Sequence, residues 1–80
     1  MLNEENSVSA TTYTVRGDLV IRDITDGRMS ISVSHITPEL SPRPLFLYLD
    51  RKPSNYVEGD SVKITGTIKD GTLYIISISR

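Results

Sequence analysis

From Tyr13 onward the chain alternates apolar and polar positions in short runs, the period of strands with one buried face. "YTVRGDLVIRDI" (13–24) predicts a first strand, interrupted at Gly17-Asp18, and the apolar phase changes around Arg22-Asp23 in the manner of a bulge or sharp bend. "RMSISVSHI" (28–36) predicts a second, with Met29, Ile31, Val33 and His35 on one face and Ser30, Ser32, Ser34 and Ile36 on the other. "LFLYLD" (45–50) predicts a third, with Leu45, Leu47 and Leu49 sharing a face. "EGDSVKITGTIKDGTLYIISIS" (58–79) supplies the fourth and fifth. In the fourth, Val62, Ile64 and Ile68 keep the period, and Gly66 takes the inward position between the two isoleucines. A strand that gives up an inward side chain bends there, or lets another strand come close. In the fifth, Leu73 and Ile75 share one face but Ile76 and Ile78 the other, which again predicts a bulge.

The runs are punctuated by turn chemistry. Asp26-Gly27 and Asp70-Gly71 suit tight hairpins, because both residue types tolerate positive φ. "TPELSPRP" (37–44) holds three prolines and is a loop. "RKPSNYVEGD" (51–60) has room for one helical turn at most, with Pro53 near its start and Gly59 as a stop. Residues 1–11 are polar and aperiodic, and are expected to be a flexible leader to a single domain at 12–80.

Composition narrows this all-β picture. Eighty residues make one domain, and a chain this short buries only about 60% of its unfolded surface, so its core must be continuous. No apolar run approaches the roughly 20 residues of a membrane helix, and the start has no basic or apolar signal-peptide region. The expected setting is intracellular, cytoplasmic or nucleoid-associated. There is no cysteine, hence no disulfide, thiolate nucleophile or zinc ribbon. Net charge is −1; from Thr12 onward nine basic residues face eight acidic ones, so only the placement of charge can point to a ligand.

Catalytic chemistry finds little support. His35 is the only histidine and has no second ligand for a metal. It is expected at a rim, with one nitrogen bonded to backbone; a stacking or phosphate contact is the alternative. The aspartates at 18, 26, 60 and 70 adjoin glycines, where they serve turns. Ser30, Ser32 and Ser34 form a stripe with no base to activate them. The expectation is a binding protein with no enzymatic activity, cofactor or metal.

The bent first strand with an inner Gly-Asp, the Asp-Gly hairpin, the lone third strand and above all "GD.V.I.G.I..G.LYI..I" across 59–78 resemble the OB-fold superfamily, the oligonucleotide/oligosaccharide-binding barrels. The pattern is similar to the last hairpin of small single-stranded nucleic-acid-binding domains. The resemblance covers about residues 13–80 and implies a small five-stranded Greek-key barrel. Many members carry a helix between strands three and four; here Tyr56 or Val57 is expected to close that end. Gly66 and Gly17 would relieve crowding where strands coil.

The family's ligand platform is the outer side of strands two and three. If Leu45, Leu47 and Leu49 point inward, Phe46 and Tyr48 point outward, opposite Ser32 and Ser34. Stacking by Phe46 and Tyr48, phosphate contacts from Arg43, Arg51 and Lys52, and polar contacts from Ser32, Ser34 and His35 would bind single-stranded DNA or RNA with little sequence preference. The same face could instead dock a protein partner, take a sugar, or be covered by the proline loop or leader. Tyr56 and Tyr74 are expected to pack.

Overall fold

A computed structural model describes the backbone of residues 11–23 and 28–80, and the side chains of the same residues except 21–23. Five strands form one sheet: β1 (Tyr13–Asp23), β2 (Arg28–Thr37), β3 (Phe46–Leu49), β4 (Ser61–Lys69) and β5 (Thr72–Ser79). No helix occurs among the described residues, and none could cross a membrane. The one helical turn allowed before β4 is replaced by turns, with Asn55 (φ 67°) and Gly59 (φ 95°) in the left-handed region. The leader, up to residue 10, and the Asp26-Gly27 turn lie outside the described residues.

The hydrogen-bonded order is β1-β2-β3-β5-β4, and β4 pairs back with β1, so every strand has a neighbour on both sides. All pairings are antiparallel except β3 with β5, which run parallel. The inward positions of all five strands meet in one core: Val15 and Leu19, Met29 and Ile31, Leu47 and Leu49, Val62 and Ile64, Leu73 and Ile75. Tyr56, rather than Val57, packs against that core, and its hydroxyl donates to the Ile78 carbonyl at 3.3 Å. Leu40 reaches the core from the proline loop.

Three irregularities bend the sheet. Arg16 faces His35 and Gly17 faces Val33, leaving Ser34 as an extra residue on β2. Ile21 faces Met29 and Asp23 faces Arg28, leaving Arg22 extra on β1. Thr65 faces Ser77 and Gly66 faces Ile75, leaving Ile76 extra on β5. The phase changes expected near Arg22 and in the fifth strand are thus bulges. The two inward glycines sit directly across from bulges. A Cβ on Gly17 would overlap the Ser32 carbonyl, and one on Gly66 the Tyr74 carbonyl. Coiling brings a neighbouring backbone to where a side chain would stand.

Two expected facings change. The Ser34 bulge shifts the phase of β2, so Ile36 is buried and His35 is exposed, the reverse of simple alternation. Leu45 is 70% exposed. It precedes β3, beyond the last β2–β3 pair (Ser32 with Phe46), where no pleat fixes its side chain inward.

Candidate functional site

The outer face of β2 and β3 follows from the core. Leu47 and Leu49 point inward, so Phe46 and Tyr48 point outward, 41% and 36% exposed. Their cross-strand neighbours are Ser32 and Ser30, not Ser32 and Ser34. The expected register was two residues too far along β2. Ser32 is half-buried beside Phe46. Ser30 is completely buried between its partners Val20 and Tyr48, and its Oγ has no hydrogen-bond partner among the described residues. The Arg28 guanidinium lies 4.9 Å from the Tyr48 ring centroid, a cation–π contact that covers the same corner.

The parallel neighbour β5 extends this face. Thr72 sits beside Tyr48, and Tyr74 is 44% exposed, not packed as expected. Arg28, Asp50, Arg51, Lys52, Thr72 and Tyr74 line a groove of about 460 Å³ where β3 ends.

The predicted cations divide into distinct roles. Arg43 donates to the Ser34 carbonyl at 3.1 Å and ties the proline loop to β2. Arg51 donates to the Ile75 carbonyl at 2.9 Å and lies 3.5 Å from the Asp50 carboxylate. Asp50 in turn accepts the Ile75 amide at 2.9 Å. Consecutive side chains thus take both backbone groups of Ile75 and continue the β3–β5 pairing beyond the strand. Both arginines have a structural partner; Lys52 is exposed and lines the groove without one among the described residues.

Ser34 and His35 are not beside the aromatic pair. The Ser34 hydroxyl donates to the Arg16 carbonyl at 3.1 Å, satisfying the bulge. His35 is the cross-strand neighbour of Arg16, on the side of β2 that meets β1. Its ring makes no hydrogen bond among the described residues, so the expected backbone bond is absent.

Arg28, Thr72 and Tyr74 join the face although no earlier signal singled them out. Alternation alone carries two of them: Arg28 has the outward parity of Ser32, and Tyr74 stands between inward Leu73 and Ile75. No group of three or more metal-ligating side chains occurs among the described residues. Comparison with family models, curated proteins and solved structures finds no match to this chain.

Proposed function

We propose that the chain is an OB-type Greek-key barrel that binds single-stranded DNA or RNA, without catalysis, on the outer face of β2 and β3. The strand order supports the architecture: around the ring, β4, β1, β2 and β3 stand in the four-strand order of a Greek key. One observation carries the function. Phe46 and Tyr48 stand two residues apart on one strand and turn their rings to solvent, with cationic Arg28 over one ring. Base–aromatic stacking is sequence-tolerant, since every base has a π-face, and it needs cations alongside for phosphate. Lys52 in the neighbouring groove suits that second task better than Arg43 or Arg51, whose guanidinium groups hold backbone carbonyls.

Titration with a labelled mixed-sequence oligonucleotide at low and moderate salt, with amide shifts recorded, tests this. The expected result is shifts centred on β2, β3 and the 50–52 segment. Phe46→Ala and Tyr48→Ala should each weaken binding by about 1–3 kcal/mol. Shifts that avoid this face, or affinity unaffected by both substitutions, would overturn the reading.

A protein-docking face is the second reading. It is favoured by the engagement of Arg43 and Arg51 in the fold, and by the nearby exposure of Leu45, Phe46, Tyr48 and Tyr74. An apolar centre with few available charges is the composition of a protein interface core. Absence of any oligonucleotide response at low salt would leave this reading standing.

A further inference from the structure

The side of the sheet formed by β4, β1 and the far end of β2 carries a different pattern. Arg16 is the direct cross-strand neighbour of Lys63 on β4 and of His35 on β2. All three side chains are exposed, and none makes a hydrogen bond or ion pair among the described residues. With strands about 4.8 Å apart, the three donors form a row of about 10 Å across the sheet. Like charges directly opposite each other, as Arg16 and Lys63 are, destabilise a sheet. No acidic side chain among the described residues is ion-paired with any of the three: Asp18, which shares a groove with Arg16 and Lys63, accepts from Ser61 Oγ at 2.9 Å, and Asp60 is held by Arg80. Two shallow grooves of about 200 and 270 Å³ flank the row, and Arg16 lines both.

We infer that Lys63, Arg16 and His35 form a second anion-binding surface that tracks the phosphates of a nucleic-acid strand without reading its bases. The surroundings select that ligand. Thr14 and Thr37 supply hydroxyls beside Arg16 and His35, and none of the exposed large apolar side chains belongs to the row. Charged donors and hydroxyls without an apolar anchor are what phosphate contacts use, whereas a protein partner needs an apolar centre. The surface does not depend on the aromatic platform, and it gives His35 a role there in place of the one expected beside Phe46.

The test uses a fluorescently labelled chain of abasic deoxyribose phosphates, which has backbone charge and nothing to stack. The full chain should bind it at about 50 mM salt and release it toward about 200 mM. Arg16→Gln with Lys63→Gln should weaken binding about tenfold or more and lower the salt slope by about 1.4, at about 0.7 per lost phosphate contact. Phe46→Ala should leave abasic binding unchanged, so loss of the platform is read separately, with the mixed-sequence oligonucleotide. The double variant should keep or raise the thermal midpoint, because it removes a repulsion. No abasic binding by the unaltered protein, equal binding by the double variant, or a lowered midpoint would overturn the inference.

Discussion

Gly17 and Gly66 are the residues on which the shape of the sheet turns. Each faces a carbonyl of the next strand at the site of a missing Cβ, and that carbonyl belongs to a ladder that cannot retreat. Gly66→Val should therefore destabilise the protein by about 1–3 kcal/mol or more, as overpacking does. Denaturant melts check this, and a neutral outcome would place the bend elsewhere. Gly59 offers a contrast, since its Cβ would meet nothing within 4 Å while its φ of 95° favours glycine. On β3, adjacent residues separate packing from binding. Leu47→Ala removes a core side chain and should cost about 2–5 kcal/mol. Phe46→Ala should alter stability much less, its ring being partly in solvent. The opposite ranking would mean that the facing of β3 is inverted.

The segment between β3 and β4 is held by charge and backbone bonds in place of a helical turn. Asp60 Oδ2 accepts from the Val57 amide at 3.0 Å and from Arg80 at 3.1 Å. Arg80 also donates to the Asn55 carbonyl at 2.7 Å and lies over the Tyr56 ring, 4.5 Å from its centroid. The hydrogen bond from the Val57 amide chiefly holds the Asp60 carboxyl below its ordinary value; desolvation, the next largest effect, opposes it, and the hydrogen bond and charge of Arg80 add to the lowering. A carboxyl lowered on folding binds protons more readily in the unfolded chain. Its stabilising contribution is complete above the ordinary aspartate range and is lost as pH falls through the lowered value. Asp60→Asn should flatten the acid limb of the stability–pH profile; a profile with the same acid slope would show that Asp60 is not its source. Element boundaries were largely legible in the sequence, because Val62, Ile64, Leu47 and Leu49 alternate cleanly and Asp70-Gly71 marks its own turn. The Ser34 bulge was not, since Ser-Val-Ser-His-Ile reads equally well as continuous alternation. That hidden residue turned His35 outward and Ile36 inward, whereas Ser34 left the site because β3 pairs two residues earlier on β2. Nor could sequence show which long cations have structural partners: Arg51 meets Ile75 across 24 residues of intervening separation.

At the scale of the molecule, the ring of pairings leaves one seam unlike the others. β1–β2 and β4–β5 join strands adjacent in sequence, and β1–β4 is an extended antiparallel ladder running from Tyr13 to Asp18. The β3–β5 seam is parallel, pairs Tyr48 with Thr72 and Leu49 with Leu73, and is then carried on by the side chains of Asp50 and Arg51. Asp50→Ala leaves the Ile75 amide without its acceptor and should cost about 1–3 kcal/mol. The route by which that cost appears follows from the order of assembly. Closing this seam joins non-adjacent strands through only two paired positions, far fewer than the β1–β4 ladder, so it gains little until the two hairpins and their shared core already exist. Its bonds then belong to the native state and not to the folding transition state. In a chevron experiment Asp50→Ala should steepen nothing and leave refolding unchanged, while unfolding accelerates by nearly the full change in stability. If refolding slows instead, the seam closes early and the ring is assembled from it. With refolding unchanged, the Asp50–Arg51 pair acts as a latch that sets the lifetime of the folded protein without setting how fast it forms.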